Sequence, residues 1–593
     1  MIRTPLRPLA RILQARAKGE NPDAIEKENL RLRHEQMRDQ SRTRAESRLW
    51  VLALAFMFAY GMIGMRMGVL AASEPQEPQV AVSGSAIVAQ RADITDRNGN
   101  LLATNLATHS LYAQPPLMVD PQRAAQELVA IFPDLEVDRL TRQFTGDRKF
   151  IWIKKRISPE QMQQVHDIGD PGLLFGPREM RLYPNGRLAA HVLGGTSFGR
   201  EGVRSAELVG VAGVEKEFDQ YLRDPANGGQ PLRLSLDLTV QTAIRRVLEG
   251  GMKLMNAKGA TAILMDVHTG EVISLVSLPD FDPNERPRPL AQGDASDSPL
   301  FNRAVQGVYE LGSTFKIFAA AQALETGMMT PDTMIDTKGP LRWGKFRIND
   351  FHNYGPQLSL TDVMVKSSNI GTARIAMEIG AERQRDFLGR LGLLSPSPVE
   401  LVEAPGVKPL LPPNWSELST MTISYGHGLS ASPLHLASAY ASVLNGGYVV
   451  QPSLLAGGRP RTGERIVSEQ TSAALRDMLR QVVVRGTASF GEVEGYSVGG
   501  KTGTADKPKP TGGYYEDKVI ATFASVFPTD KPKYVLIVTL DEPEETSGTE
   551  PRRTAGWTAV PVAAEIIRRT APLLGLRPDI EPASTFGVTL TSN

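Results

Sequence analysis

The feature that most constrains this chain is a long, uncharged apolar run near its N-terminus. Residues 49–65 contain no charged side chain, and the apolar character continues past Arg66 to Ala72. A helix rises about 1.5 Å per residue, so about 24 residues are enough to cross a hydrocarbon core of about 30 Å. The run therefore predicts a membrane-spanning helix at 49–72, with Arg66 close enough to one end for its side chain to reach the interface.

The charges on either side of this run predict its orientation. Residues 1–48 contain twelve Lys or Arg against seven Asp or Glu, whereas Glu74 and Glu77 follow the run. Because basic residues remain on the cytoplasmic side, we expect a cytoplasmic basic tail and an external chain after about residue 73. A cleaved signal peptide is the alternative, since residues 69–71 suit a peptidase. The long leading region and the length of the apolar run favour a retained anchor.

Composition excludes several kinds of chemistry. A length of 593 residues predicts more than one domain, and 66 basic against 65 acidic residues argue against nucleic acid as the main partner. The chain has no cysteine, which excludes disulfides, thiol catalysis and cysteine-bound metals. Its eight histidines show no metal-binding spacing. We predict no cofactor and no metal.

A serine and a lysine three residues apart begin an apolar segment in the middle of the chain. Ser313 and Lys316 follow Gly312 and precede the alanine-rich run Ile317–Ala320, a pattern that predicts the first turn of a buried helix. The two side chains then share one helical face. A serine hydroxyl needs a base to become a nucleophile, and a lysine is such a base when burial and a helix N-terminus lower its pKa. On its own, the pattern is more typical of an ordinary helix start.

Two further motifs change this interpretation. Residues 367–369 read S-S-N, and residues 501–504 read K-T-G-T. Separately, Ser368 is explained as a helix cap and K-T-G-T as an exposed strand end. In the order S-x-x-K, S-x-N, K-T-G, the three motifs are the signature of penicillin-binding proteins and serine β-lactamases, which this chain resembles.

The segment before these motifs adds to the resemblance. Residues 91–100 alternate like a strand and end on an Asn-Gly turn, which predicts a hairpin. From the residues alone this is a mixed α/β module whose arginines, glycines and His191 are structural. Its R-x-x-I-x-D-R-N-G motif, followed by R-x-Y-P-x-G at 181–186 and G-x-x-G-x-E at 210–215, resembles the N-terminal pedestal of class B penicillin-binding proteins. Ala92 stands where that family usually has Gly.

The expected fold is α+β and multidomain: a single N-terminal transmembrane helix, a mixed α/β pedestal, and a penicillin-binding transpeptidase domain with an antiparallel sheet flanked by helices, as in serine β-lactamases. The expected limits are 1–48 for the tail, 49–72 for the anchor, 73–232 for the pedestal, 233–575 for the catalytic domain and 576–593 for a C-terminal tail, with an extended linker at 74–82.

Local patterns within the last domain predict particular elements. We expect helices at 243–255 and within 426–445, a hairpin of strands at 260–265 and 272–278, and strands at 524–526 and 534–540. K-T-G-T is expected on an edge strand beside a groove. Tyr514 and Tyr515 are expected in the following loop, where exposed packing is the simpler explanation and contact with a glycopeptide the alternative.

The resemblance also implies roles for individual residues. Ser313 would attack a carbonyl while Lys316 takes its proton, Ser367 would pass a proton to the leaving amine, and the N–H groups of Ser313 and Thr504 would bind the oxyanion. Lys501 would add positive potential, and Gly503 would allow a close approach of strand to ligand. The implied catalytic residues are Ser313, Lys316, Ser367 and Asn369, and the implied substrate-binding residues are Lys501, Thr502, Gly503 and Thr504.

The implied activity is that of a class B peptidoglycan D,D-transpeptidase, which cross-links stem peptides ending in D-Ala-D-Ala and is acylated by β-lactams. Residues 309–316 and 366–376, together with the basic tail, are most similar to the division branch, although Leu311 replaces a common Pro. That branch implies the bacterial inner membrane at the division septum, a periplasmic catalytic domain, and a septal glycan polymerase (FtsW-type) and other divisome membrane proteins as partners. The elongation enzyme, a β-lactamase, a β-lactam sensor and an inactive scaffold are the alternatives.

Overall fold

The computed structural model describes residues 7–72, 91–201, 206–458, 462–509 and 512–579. The chain divides into two compact units, Met1–Ser83 and Gly84–Asn593. The predicted linker at 74–82 and all but the first four residues of the predicted tail at 576–593 lie outside the described residues.

The N-terminal unit consists of two helices, α1 (Arg7–Ala17) and α2 (Pro22–Ala72). Helix α2 continues without a break from the charged segment into the apolar run. Its Arg48–Gly68 segment is, among the described residues, the one candidate for a membrane span by length and hydropathy. An apolar helix at the predicted position is therefore confirmed, and it is the C-terminal part of a longer helix.

The second unit begins with the pedestal, whose main sheet has the strand order β3-β2-β1-β7, with β4 also pairing with β2. The predicted Asn-Gly hairpin is present, since β1 and β2 pair antiparallel on either side of it. Helices α3, α4 and α5 contribute to one core together with strands β2, β3 and β4. The elements are β1 Ile94–Thr95, β2 Leu101–Ala113, α3 Pro121–Ile131, α4 Val137–Phe144, β3 Ile151–Ile157, α5 Pro159–Ile168, β4 Leu173–Leu182, α6 Ala190–Leu193, β5 Gly195–Glu201, β6 Ala206–Ala212, α7 Gly213–Glu217, α8 Asp219–Arg223 and β7 Leu232–Arg233.

A buried ion network joins the three pedestal motifs to one another. The carboxylate of Glu215 accepts from Nε of Arg91 and Nε of Arg181, each at 2.7 Å, and all three side chains are buried. Arg91 also binds Asp219 at 2.7 Å. His191 is buried beside the Pro299 carbonyl, and burial lowers its pKa to about 4, so this imidazole is neutral. These contacts give Arg91, Arg181 and His191 partners within the fold, in agreement with the predicted structural role.

The remainder of the chain is built on a five-stranded antiparallel sheet with the order β16-β17-β18-β8-β9. Successive residues of β8 enter different cores: Ala262 and Leu264 pack with α9 and α17, whereas Ile263 and Met265 pack with α10 and α15. This period of two places helices on both faces of the sheet, as predicted. The strands and helices around the sheet are α9 Leu238–Leu254, β8 Gly259–Asp266, β9 Val272–Leu278, α10 Lys316–Glu325, α15 Pro433–Leu444, α16 Glu469–Arg485, β16 Gly499–Pro508, β17 Tyr514–Phe527, β18 Tyr534–Asp541 and α17 Ala559–Thr570.

A group of short strands and helices lies between α10 and α16 in the chain. Three small antiparallel pairs are formed there, β10 with β13, β11 with β12, and β14 with β15. The elements are β10 Met334–Asp336, β11 Leu341–Trp343, β12 Phe346–Ile348, β13 Gln357–Ser359, α11 Leu360–Lys366, α12 Asn369–Ile379, α13 Ala381–Arg390, α14 Glu417–Ser424, β14 Tyr448–Val450 and β15 Thr462–Arg465.

Two of the predicted helices have different limits. Helix α9 begins five residues before the predicted 243, because the Asp237 carboxylate caps it by accepting from Thr239 N and Val240 N. The predicted helix within 426–445 forms only from Pro433, since Gly426 and Gly428 have φ of 86° and 82° and end the preceding helix. In both cases a capping or turn residue overrode the apolar periodicity.

Candidate active site

The segment that carries Ser313 is held firmly between two other parts of the chain. Residues Gly312–Phe315 form a 3-10 turn that leads directly into α10, which confirms the predicted helix start. The Tyr440 hydroxyl donates to the Thr314 carbonyl at 2.6 Å, and Thr314 Oγ1 donates to the Leu311 carbonyl at 2.9 Å. Ser313 itself is half-buried, whereas its two neighbours are buried. The turn therefore leaves the serine accessible at a fixed position.

Lys316 lies one turn later and its side chain is fully buried. Its Nζ donates to the Ser367 carbonyl at 2.5 Å, to Ser367 Oγ at 3.1 Å and to Asn369 Oδ1 at 2.7 Å. Burial lowers the pKa of Lys316 well below its usual range, the charge of Lys501 lowers it further, and Asp350 opposes both effects. Burial and the charge of Lys501 thus favour the neutral amine, the form that can accept a proton.

Lys501 brings a second buried amine to the same hydroxyl. Its Nζ donates to Ser367 Oγ at 2.9 Å and to the Thr502 carbonyl at 3.2 Å. Burial lowers the pKa of Lys501 to about 7. Ser367 Oγ therefore lies between two amines that are contributed by different motifs, and the three motifs meet at this one atom.

The backbone at Ser367 explains how its hydroxyl reaches both amines. Ser367 has φ of 60°, the left-handed region, at the junction between α11 and α12. This conformation costs a residue other than glycine about 1 kcal/mol, and such strain is characteristic of functional sites. Ser368 caps α12 by accepting from Gly371 N at 2.9 Å, as the sequence predicted.

Asp350 is a site residue that the sequence analysis missed. Its Oδ1 accepts from Asn369 N at 2.6 Å and Ile370 N at 3.0 Å, and its Oδ2 accepts from the Ser368 hydroxyl at 2.7 Å. One carboxylate thus caps α12 and fixes the residue that binds Lys316. Asp350 belongs to a loop after β12 that has no regular periodicity. Its one signal in the sequence was its acidic side chain, which the N-terminus of a helix such as α12 favours.

Strand β16, which carries K-T-G-T, forms the edge of the sheet and lies against the Ser313 segment. A Cβ added to Gly503 would lie 2.2 Å from the Leu311 carbonyl oxygen. A Cβ added to Gly312, where φ is 57°, would lie 2.8 Å from the Thr504 oxygen and 3.1 Å from its nitrogen. Only glycine permits this approach, which brings the backbone of residues 312–313 beside that of Thr504.

The threonine hydroxyls of K-T-G-T have partners of their own. Thr502 Oγ1 lies 2.7 Å from Oγ1 of the exposed Thr487, and Thr504 Oγ1 accepts from Ala555 N at 3.0 Å. Thr487 is a further candidate that the sequence did not indicate, since it follows α16 and meets β16 only in the fold. The structure therefore joins Lys316, Ser367, Asn369 and Lys501 in one hydrogen-bonded cluster. The close backbone contacts at Gly312 and Gly503 place the turn that carries Ser313 against residues 503–504.

Glu310 is a second carboxylate that the sequence analysis missed. It accepts from Gly428 N at 2.7 Å, its other oxygen lies 3.1 Å from Nδ1 of His427, and the Tyr514 hydroxyl donates to it at 3.1 Å. Burial raises the pKa of Glu310, but these bonds outweigh burial and hold it below its usual range. The sequence did offer one signal for Glu310, an acidic residue within an apolar segment. Because a buried charge requires partners, such a residue indicates a carboxylate with hydrogen-bond donors around it.

The predicted loop containing Tyr514 and Tyr515 is wrong in its limits. Both residues belong to β17, which begins at Tyr514. Tyr514 binds Glu310, whereas Lys509 and Lys518 lie 5.5 Å and 5.1 Å from the centre of the Tyr515 ring. Tyr515 thus packs at the surface, and Tyr514 joins the start of β17 to Glu310.

Comparison with known families matches two segments of the chain. Residues 260–568 match the penicillin binding protein transpeptidase domain, and residues 86–232 match the penicillin-binding protein dimerisation domain. These segments contain the antiparallel sheet with all three motifs and the pedestal with its ion network, respectively.

Comparison with individual proteins covers most of the chain. A probable peptidoglycan D,D-transpeptidase FtsI of Caulobacter vibrioides is 35% identical over 563 residues, covering 92% of each chain. The peptidoglycan D,D-transpeptidase FtsI of Escherichia coli is 28% identical and covers 82% of this chain and 84% of its own length. The crystal structure of penicillin binding protein 3 from Mycobacterium tuberculosis, complexed with aztreonam, matches with a TM-score of 0.63 at 25% identity, over 83% of this chain and 97% of that one.

Proposed function

Because this chain belongs to the penicillin-binding protein transpeptidase family, we propose that it is a peptidoglycan D,D-transpeptidase that acts through a serine acyl-enzyme. The observation that carries the proposal is the meeting of the three motifs at Ser367 Oγ, 3.1 Å from Lys316 Nζ and 2.9 Å from Lys501 Nζ. The names of the FtsI relatives support the same activity.

In the first half-reaction, Ser313 Oγ attacks the penultimate D-Ala carbonyl of a stem peptide. Neutral Lys316 takes the hydroxyl proton as the Oγ–C bond forms. The N–H groups of Ser313 and Thr504 stabilise the oxyanion, a role supported by the close approach at Gly312. When the C–N bond breaks, the Ser367 hydroxyl passes a proton to the departing D-Ala amine and is reprotonated from the amine of Lys316 or Lys501.

In the second half-reaction, an amine of a neighbouring stem peptide attacks the ester carbonyl and gives up a proton to neutral Lys316. The same proton passes from Lys316 to Ser313 Oγ as the ester C–O bond breaks and the new amide forms. Asn369 keeps Lys316 in place through the 2.7 Å bond to its amine. Lys501, Thr502 and Thr504 provide positive charge and hydroxyls for the terminal carboxylate of the donor. A β-lactam takes the place of the donor and acylates the same serine.

The experiment is acylation of the full-length protein in detergent by a fluorescent penicillin. We expect Ser313→Ala to abolish labelling and Ser489→Ala, a matched change at an exposed serine, to leave it intact. Labelling of Ser313→Ala at the rate of the unmodified protein would reject Ser313 as the nucleophile. Repeated turnover of a chromogenic cephalosporin would favour a β-lactamase instead.

We further propose that the protein acts in division at the septum, with residues 49–72 as a retained anchor, residues 1–48 in the cytoplasm and the chain after about residue 73 in the periplasm. The same proposal assigns 73–232 to the pedestal, 233–575 to catalysis and 576–593 to the tail. The names of the FtsI relatives and the apolar helix support it. A septal glycan polymerase of the FtsW type and other divisome membrane proteins are its proposed partners. Depletion should produce filaments, whereas round cells would favour the elongation alternative.

A further inference from the structure

The most exposed large apolar side chain in the described part of the chain lies beside the candidate active site. Phe351 has 82% of its surface exposed, a larger fraction than any large apolar residue of the segment Arg48–Gly68. A single exposed apolar residue is ordinary on a protein surface. Phe351, however, directly follows Asp350, whose carboxylate accepts from Asn369 N at 2.6 Å. Its exposure and its place next to a residue that supports the site together make it a candidate for contact with a ligand.

The backbone that leads to Phe351 is anchored to α12. The Asn349 carbonyl accepts from Nδ2 of Asn369 at 3.1 Å. The Asp350 carboxylate accepts from two backbone N–H groups in the first turn of α12. Two consecutive residues are thus bound to the helix that carries Asn369, and the Cα of Phe351 follows that of Asp350 at about 3.8 Å. The Phe351 side chain therefore begins from a fixed point at the wall of the site.

The rings that follow Phe351 in the chain link it to the core. The centre of the His352 ring lies 4.9 Å from that of Phe351 and 6.1 Å from that of Tyr354, each in an edge-on arrangement. Tyr354 is half-buried and packs against a large hydrophobic core. The row of three rings thus supports Phe351. An aromatic side chain that is already ordered loses little conformational freedom when a ligand covers it.

Phe351 lies at one end of the hydrogen-bond network of the site. The bonds run from Asn369 through Lys316, Ser367 and Lys501 to Thr502. The segment that carries Phe351 binds Asn369, whereas Thr502 at the other end is proposed to bind the terminal carboxylate of the donor. That carboxylate belongs to the D-Ala that leaves. The peptide chain on the other side of the reacting carbonyl therefore extends toward Asn369 and Phe351.

We propose that Phe351 forms an apolar subsite for the acyl part of the donor, the peptide chain that precedes the reacting carbonyl. This subsite rests on the proposed function, which it extends by a residue that determines specificity. The face of a phenyl ring packs on methylene groups and on the planes of an extended peptide, and this contact removes apolar surface from water. A β-lactam takes the place of the donor, so its acyl side chain enters the same subsite.

The test compares two penicillins on the full-length protein in detergent. Benzylpenicillin has an aromatic acyl side chain, whereas aminopenicillanic acid is the same nucleus with a free amine in its place. Their second-order acylation rates are measured by competition with a fluorescent penicillin. We expect Phe351→Ala to slow acylation by benzylpenicillin about fivefold to tenfold, the loss expected for a phenyl ring that is half covered in the complex. Acylation by aminopenicillanic acid should be unchanged, so the ratio of the two rates separates the subsite from a general disturbance of the site.

Two further variants make the outcome decisive. Phe346→Ala is the matched control, because Phe346 is also exposed and pairs with Trp343 at the tip of the β11–β12 hairpin; it should change neither rate. Phe351→Tyr keeps the ring and should retain the benzylpenicillin rate. Equal slowing of both penicillins by Phe351→Ala, or no slowing of benzylpenicillin, would overturn the subsite. Failure of both penicillins to acylate the unmodified protein would overturn the proposed function, and with it the subsite.

Discussion

The substitution Asp350→Asn separates two effects of one carboxylate on Lys316, the proposed catalytic base. Asp350 accepts three hydrogen bonds, from Asn369 N, Ile370 N and the Ser368 hydroxyl, at 2.6 Å, 3.0 Å and 2.7 Å. It also raises the pKa of Lys316, against burial and the charge of Lys501. An amide of the same shape keeps one acceptor oxygen but loses the charge at the helix N-terminus.

The first expected effect is slower acylation. Loss of a charged helix cap costs about 1–2 kcal/mol. If that loss displaces Asn369, and with it Lys316, the activation free energy of acylation rises by the same amount. Acylation then slows about 5- to 30-fold. The assay is the second-order rate of labelling by a fluorescent penicillin, measured on folded protein.

The second expected effect is a shift of the pH–rate profile, which favours acylation at low pH, whereas the first effect slows acylation. Asp350 favours the protonated form of Lys316, so its removal lowers the pKa of that amine. The base is then neutral at lower pH, and the acid limb of the pH–rate profile should move to lower pH. Asp336→Asn, at an exposed aspartate paired with Arg374, should change neither the rate nor the profile. An unchanged acylation rate, or an acid limb that moves to higher pH, would refute this account of Asp350.

Three further substitutions test other parts of the site. Between about pH 7 and 10.5 the unfolded chain binds a proton at Lys501 that the folded chain lacks, so the free energy of unfolding rises with pH. Lys501→Met should lower the slope of this free energy against pH by up to about 1.4 kcal/mol per pH unit, measured by denaturant unfolding. An unchanged slope would contradict the lowered pKa of Lys501. Gly503→Ala should slow acylation and cost about 1–3 kcal/mol in the same unfolding assay, since its Cβ would lie 2.2 Å from a carbonyl oxygen. The control is Gly250→Ala, which should be neutral or stabilising because no atom lies within 4 Å of its Cβ. Equal effects of the two substitutions would exclude the clash. Glu310→Gln should weaken the bonds to the 427–428 turn and to β17 and slow acylation, whereas an unchanged labelling rate would exclude a role for this carboxylate in holding the site.

The catalytic motifs were predictable from the sequence because each carries its own local geometry. Three-residue spacing places Ser313 and Lys316 on one helical face. A strand that packs closely against another backbone requires glycine, and Gly503 is that residue here. The strands of the sheet and its hairpin were predicted from short apolar runs, such as residues 260–265. These signals depend on neighbours in the chain, so they can be read without the fold.

The supporting carboxylates were not predictable in the same way. Asp350 acts on a helix that begins nineteen residues later, and Glu310 acts on a turn more than a hundred residues away. Their functions depend on contacts that only the folded chain creates. The helix limits near 238 and 433 failed for a related reason, since caps and positive φ angles override periodicity at the ends of an element.

The chemistry of the site depends finally on the cost of burying two amines beside one hydroxyl. Lys316 and Lys501 both reach Ser367 Oγ, at 3.1 Å and 2.9 Å. Two unit charges about 5 Å apart repel by about 3 kcal/mol at an effective dielectric constant of about 20, which corresponds to about 2 pK units. The repulsion therefore opposes protonation of both amines at once, in the same direction as burial, which lowers the pKa of each. The left-handed turn at Ser367 and the glycine contacts of β16 maintain this arrangement, on which the proposed activation of Ser313 depends.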